Sequence, residues 1–538
     1  MRGSFVTFRI ASTGMHTART NLNVTSHNVA NYSTPGFSRQ VTVQSAVRGM
    51  HLRNGQGMFG MGSVVHNVIQ MRDQFIDRRF WNQNSILGEF AVKAPQLSLM
   101  EAVFNDLSDS GVRASFEDFF SRLQDLTREA HDPTFRLNVV MVGETLADMI
   151  RNNAQSLQRQ QQDLNGEVRA VVTEVNSLGQ QITMLNQQIR QFEFDGSNAN
   201  DLRDQRALLI DRLSELVNVE VSEENFSHAT GINNDNRLSI SINGHDFVNH
   251  LSVHPLELVP RTPEQRRNEM DVDGLYDIRF ANGSPFNIYS RTLRGTLKGL
   301  IDVRDGNGGS NTYVWNENDG EFVPGQSTSS FKGIPFYMNR LNYMVRVFAA
   351  AINDGYDVNG DPIPGSPGHR NGYALNGNTG LAFFTWTHPA TGDTIDSFGD
   401  IRYLNALNFN INQVLMDSPH LLQASKSPTD GESDPSIILG FINVGNFPSL
   451  FREGQLMDFM IATAGHLAID IRQAERFMNN YNEMTMATQN QRLSISGVSM
   501  NEELLNMVRF NQLFQNNARM ISTMNDVYDT LINRLGIG

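Results

Sequence analysis

Between residues 164 and 192 a single apolar stripe repeats at spacings of four and three: Leu164, Val168, Val171, Val175, Leu178, Ile182, Leu185, Ile189 and Phe192. Ile150, Ala154 and Leu157 carry it backwards. Such a stripe stays on one face only if the backbone is helical. It predicts one long coiled-coil-like helix from about Pro133 to Phe194, with Pro133 as its starting residue. No compact small domain can hold a helix of that length, so the rest of the chain must be arranged along it. "FDGSNANDLRDQRALLIDRLSELVNV" then reads as a turn and a second helix packing back on the first.

Both ends of the chain also read as helix. Phe8, Met15, Leu22 and Val29 lie seven apart, with Ala11, Ala18 and Thr25 between them. At the other end Leu504, Phe514, Ala518, Ile521, Tyr528, Ile532 and Leu535 form the seam. Asn511 and Asn525 fall at its intervening positions; they either set register from a buried site or are simply exposed. These seams offer few large apolar side chains for the backbone they must order. The ends are therefore expected to fold against further surface, from neighbouring copies or from the chain's own bundle. The first helix is expected to stop at "NYSTPG", because Pro35 bars the residue before it from helical geometry. Asn28 and Asn31 can bond to backbone near that stop.

The middle changes period. "RQVTVQSAV" reads as extended and "RNGQGMFGMGS" as loop or hairpin. From about residue 217, "NVEVSEE", "RLSISINGHDFVN", "LYDIRF" and "SPFNIYS" read as strands, with Asn243-Gly244 as a type I′ hairpin turn. "DGNGGSNTYVWNENDG" reads as an exposed loop. Helix returns at "IPFYMNRLNYMVRVFAAAINDGYD". A region of turns and short strands such as "LAFFTWT" follows, and helix resumes from about 454. The expected class is multidomain α+β. Terminal coiled-coil-like helices and a long helical bundle pack N- and C-terminal segments together, with β-rich domains inserted in the middle. The expected units are a terminal helical domain (1–40 with 500–538), a bundle (41–216 with 454–499), a β-rich domain with a returning helix (217–355) and an irregular, β-rich outer insertion (356–453).

Composition excludes several functions. The net charge of −14, with only Lys93, Lys298, Lys332 and Lys426 as lysines, leaves no basic stripe for nucleic acid. There is no cysteine, hence no disulfide, thiol nucleophile or thiolate metal site. No window approaches 18 apolar residues, so no membrane span is expected, and the opening residues lack the apolar stretch of a Sec leader. No phosphate-binding loop, H-E-x-x-H or G-x-S-x-G is found. "DVNGDPIPGSPG" begins like a calcium loop at Asp357, Asn359 and Asp361. It then has Pro362 and Gly368 where glycine and glutamate are required, so it reads as an Asx-rich turn. No catalytic residue, cofactor or metal is expected, and the chain is read as a non-enzyme.

"LNVTSHNVANYSTPGFSRQ" resembles the N-terminal signature of the bacterial flagellar axial proteins of rod, hook and hook-associated type. The match is carried by Leu22, Val24, Asn28, Val29, Ala30, Asn31, Thr34, Pro35, Gly36 and Phe37. Ser38, Arg39 and Gln40 are similar to the version found in the hook-associated protein 1 family. So are "NDLRDQRALLIDRLSELVNVEV", "LRGTLKGLIDVRD" and the segment from Ser494 to Gly536. The resemblance implies a structural protein of the hook–filament junction, self-assembling in a ring or helical layer through its terminal helices. It implies hook protein on one side, a second junction protein on the other, and a cytosolic export chaperone on the C-terminal helix. It also implies an extracellular place on the flagellum after type III export from the cytoplasm. The alternatives are another axial subunit of hook or distal-rod type, a surface adhesin or glycan-binding module in the outer insertion, or an enzyme inserted there.

Overall fold

A computed structural model describes residues 2–51, 58–104, 111–194, 196–227, 234–309, 313–316, 321–324, 329–357, 360–389, 391–428 and 434–530. The helices are α1 (Arg2–Ala30), α2 (Gln74–Phe104), α3 (Val112–Arg128), α4 (Pro133–Glu193), α5 (Asn200–Leu216), α6 (Thr296–Asp305), α7 (Ile334–Asn353), α8 (Gln413–Asp417), α9 (Ser436–Asn446), α10 (Leu456–Ser496) and α11 (Met500–Asp529).

The spine is α4. Asp132 caps it by accepting from the Thr134 amide at 2.7 Å, and Pro133 occupies its first turn. Its 61 residues extend about 90 Å at 1.5 Å per residue. The predicted stripe is buried from Ile150 through Ile182, and again at Ile189. Leu185 is half-buried and Phe192 exposed. α5 packs back on its end as expected, but among the described residues no single helix accompanies α4 along its whole length. Instead, α3 covers the first part of the stripe, α6 the middle and α5 the end, while β-rich segments pack directly on the helix. The phenyl of Phe247 lies where a Cβ on Gly179 would come within 2.6 Å. Phe383 and Ile411 crowd Gly143 in the same way. A stripe specifies that one face must leave water; it does not specify which element covers it.

The β-rich middle contains a four-stranded antiparallel meander: Glu220–Ser227, Asn234–Ile242, His245–Asn249 and Ser252–Val253. Asn243 and Gly244, both at positive φ, make the predicted hairpin turn between the second and third strands. Leu256–Pro260 pairs with Tyr276–Phe280. "SPFNIYS" is not a strand: Phe286 and Ile288 are buried from within a turn-rich segment. The stretch expected to be a loop after residue 305 contains a hairpin, Tyr313–Asn316 against Glu321–Pro324.

In the outer region Phe384–Thr387 pairs with Thr394–Ile395 and Asn410–Ile411, and buries Phe384 and Trp386. α9 was not predicted there, because "SIILGFINVG" is apolar almost throughout and shows no period. The Asp357 carboxylate accepts from the Asp361 amide at 2.8 Å, which is turn chemistry rather than calcium ligation. Residues 358–359 of that stretch lie outside the described set.

Lys93 of α2 holds α6 through Asp302, and Lys298 of α6 shares the same carboxylate. Lys93 Nζ lies 2.5 Å from Glu89 and 2.6 Å from Asp302, and Lys298 lies 2.8 Å from Asp302. Burial alone would lower the Lys93 pKa, but the charges of Asp302 and Glu89 outweigh it and the net shift is upward. Burial likewise opposes ionisation of Asp302, yet Lys93 and Lys298 bring its pKa below the usual value. The raised lysine stabilises below the ordinary ammonium pKa, and the lowered aspartate stabilises above the ordinary carboxylate pKa. The cluster therefore contributes fully between about pH 4 and 10. Lys93→Met leaves the buried Glu89 with only the more distant Arg294, at 3.6 Å, and is expected to cost about 3 kcal/mol in urea unfolding at pH 7.

The chain ends pair with each other. α1 and α11 run antiparallel, with Gly14 beside Asn517 and Asn28 beside Glu503. Ala11, Ala18 and Thr25 are buried, as the small seam positions require, whereas Phe8, Met15, Leu22 and Val29 are only half-buried. On α11, Phe514, Ala518, Ile521 and Tyr528 are half-buried, and Leu504, Asn511 and Asn525 are exposed. Both asparagines thus face solvent in the single chain. Ile532 and Leu535 lie outside the described residues. So little sealed apolar surface predicts weak independent folding. In the purified chain, amides of α1 and α11 are expected to exchange about 100-fold faster than those at the centre of α4.

Candidate functional site: the joint between terminal helices and bundle

The opening signature lies where the α1–α11 pair meets the bundle. α1 ends at Ala30 and a run of turns follows. The Asn31 amide bonds to the His27 carbonyl at 3.1 Å, Thr34 to Asn31 at 3.0 Å and Phe37 to Thr34 at 3.2 Å. Asn31 Nδ2 also donates to the His27 carbonyl at 3.1 Å, and Phe37 packs edge-on against the His27 ring. Gly36 has φ 75°, and a Cβ there would lie 2.5 Å from the Leu208 side chain of α5. Glycine is therefore required twice at this bend, for its backbone angle and for its lack of a side chain.

Beyond the bend, three consecutive residues tie the turn to α5 and to the junction of α10 and α11. The Ser38 amide and hydroxyl both donate to Asp204, at 2.8 and 2.7 Å, tying the turn to α5. The Arg39 amide donates to the Ser496 carbonyl at 2.7 Å, and its Nε to Glu503 Oε1 at 2.7 Å, tying the turn to the end of α10 and the start of α11. Gln40 Nε2 donates to Asp201 at 2.7 Å. Asn28 completes the closure: its Nδ2 donates to the Gln40 carbonyl at 2.9 Å and to Glu503 Oε2 at 3.2 Å, while its Oδ1 accepts from the Gln40 amide at 3.0 Å. The Asn28 side chain thus bonds a remote backbone as a strand neighbour would.

A charge chain continues inward. Arg72 reaches both Asp204, at 3.5 Å, and Asp77, at 3.1 Å; Arg492 reaches Asp77 at 2.9 Å and Asp211 at 3.0 Å; Trp81 Nε1 donates to Asp211 at 2.6 Å. Burial pushes the Asp204 pKa above its ordinary value, against the opposing Ser38 hydrogen bonds and the Arg72 charge. Through this chain α2, α5 and α10 are all coupled to residue 38.

The joint therefore unites Asn28, Ser38, Arg39 and Gln40, with Asn31, Gly36 and Phe37 shaping the bend. Leu22 and Val24 lie back along α1, and Ala30, Thr34 and Pro35 are exposed. Asp201, Asp204, Ser496 and Glu503 were missed by sequence reasoning. Ser38 and Asp204 are 166 residues apart, and no local pattern announces that pairing. Among the described residues no group of three or more metal-ligating side chains occurs, and no helix is long and apolar enough to cross a membrane. What the arrangement supplies is directional anchoring of one domain on another.

The family comparisons meet at the same place. The flagella basal body rod protein family matches residues 8–37, and the C-terminal family of the flagellar basal body rod FlgEFG proteins matches 489–535. The helical domain of flagellar hook-associated protein FlgK matches residues 97–384, more than half of the chain. The chain belongs to the FlgK family. Flagellar hook-associated protein 1 of Bacillus subtilis is 26% identical over 547 residues, covering 100% of both chains. That of Escherichia coli is 24% identical over 576 residues, covering 97% of this chain and 98% of its own. The flagellar hook junction protein FlgK from Burkholderia pseudomallei shares the fold, with a TM-score of 0.51 at 12% identity, over 78% of this chain and 100% of that one. Membership in the FlgK family makes the chain a structural protein of the bacterial flagellum.

Gly36→Val places a branched side chain against Leu208 at a positive φ, at a cost of about 1–3 kcal/mol to the joint. Faster amide exchange at Ser38 and Arg39, with α4 unchanged, is the expected result.

Proposed function

We propose that the chain forms a junction layer between flagellar hook and filament. It assembles with copies of itself through α1 and α11, contacts hook protein on one face and a second junction protein on the other, and performs no catalysis. The observation that carries this reading is the paired ends. Two long helices lean on each other through small residues, leave their larger seam side chains half-open, and meet the bundle at the polar joint and, from α1, at the strand pair Gln40–Ala46 and Ser63–Gln70. Copies packed around a common axis would cover the open faces and add the burial that one chain lacks. Export through the flagellar type III route, with a chaperone holding the C-terminal helix, is part of the same reading. A cysteine-free chain suits passage in an unfolded state.

The test uses isolated hooks. Purified chain is expected to add to their ends, visible by electron microscopy of labelled subunits. Chain truncated after Gly497 should retain the bundle's urea transition yet fail to add. Equal addition by the truncated and full chains would reject assembly through the ends.

A further inference from the structure

Of the residues of α11, Glu503 alone is fully buried, and it is a carboxylate. Its side chain is 2% exposed. It faces two donors from opposite sides, Arg39 Nε on Oε1 and Asn28 Nδ2 on Oε2, with the Glu502 carboxylate 3.8 Å from the far side of the same guanidinium. Elsewhere α11 touches α1 through half-buried side chains, among them Asn517 seated against Gly14.

Asn28 has no freedom to adapt. Its amide nitrogen is shared between Gln40 and Glu503 and its oxygen accepts from the Gln40 amide, so turning it over would break all three bonds. Both carboxylate oxygens of residue 503 must therefore be acceptors. An amide there would set a donor against a donor.

We propose that Glu503 is the positioning residue of the terminal pair: it fixes the register of α11 on α1 and carries that register into the bundle through Arg39. The inference rests on the reading of these helices as the assembling element, and it assigns the register to one ionised side chain rather than to the apolar seam. Position along a helix advances 1.5 Å per residue, so a seam of small and half-buried side chains tolerates slips that a doubly bonded carboxylate does not.

The test compares the full chain with Glu503→Gln and Glu503→Asp. In the unaltered monomer, amides of residues 504–511 should exchange at least about tenfold slower than those of 519–526, because protection is anchored at the joint. Glu503→Gln should abolish that gradient and reduce addition to isolated hooks about tenfold, with exchange along α4 unchanged. Glu503→Asp, which keeps two acceptors on a shorter arm, should retain part of both. A Glu503→Gln chain with the gradient intact and normal addition overturns the proposal, as does an unaltered chain with no gradient. Should the unaltered chain show the gradient yet never add to hooks, the junction reading falls and the assignment to Glu503 stands.

Discussion

The placement of the terminal helices depends on a few carboxylates that hold segments distant in sequence. Asp204 takes both donors of Ser38, Asp201 takes Gln40, and Glu503 takes Arg39 and Asn28. These bonds join residues near 30, 200 and 500. An apolar contact in their place would supply attraction without direction. A buried carboxylate has few acceptable arrangements, since each unmet oxygen carries a desolvation cost, and this is what gives the joint one geometry. Three distant stretches of the chain, carrying α1, α5 and the successive helices α10 and α11, thereby acquire a common frame.

That frame attaches to a spine of a different character. α4 is held by continuous apolar burial, and its covering changes along the length from α3 to α6, strands and α5. Dispersion and the hydrophobic effect are indifferent to the type of element that supplies the surface, so a single stripe can serve helical and β-rich neighbours alike. The Lys93–Asp302 cluster adds a directional lock where α6 crosses α2. Rigid wall and adjustable ends thus use separate physics: dense packing for the spine, sparse polar anchoring for the terminal pair.

The long helix, both terminal helices, the Asn243–Gly244 turn and the stop after Ala30 were legible because each is a local pattern of periodicity or turn chemistry. Of the residues of the opening signature, Asn28, Ser38, Arg39 and Gln40 lie together at the joint. Their partners were illegible. An aspartate at 201 or 204 looks like any acidic residue in the first turn of a helix, and Glu503 like any exposed charge in a seam of heptads. Only chain closure gives them meaning, and one sequence does not reveal which long-range closure occurs. The long helix at Pro133–Glu193 and α5 packing back on it were legible from local pattern, whereas the stripe left open which other elements cover the rest of it. α9 was missed because a uniformly apolar run carries no period at all.

A subunit that must add to the end of a growing structure has opposing needs at its termini. Ends that folded firmly alone would present finished surfaces with nothing left to cover. Ends with no organisation would lose more chain entropy on joining, lowering affinity for the same contact area. The observed pair lies between these limits. Its seam of Ala11, Ala18 and Thr25 is too thin to stabilise two helices of about 30 residues, yet the Asn28–Glu503–Arg39 node already sets where α11 begins on α1. In the proposed assembly only the register is specified in advance, and the bulk of the burial is left for the neighbouring copies. A polar anchor suits this division, because it contributes geometry strongly and net stability weakly.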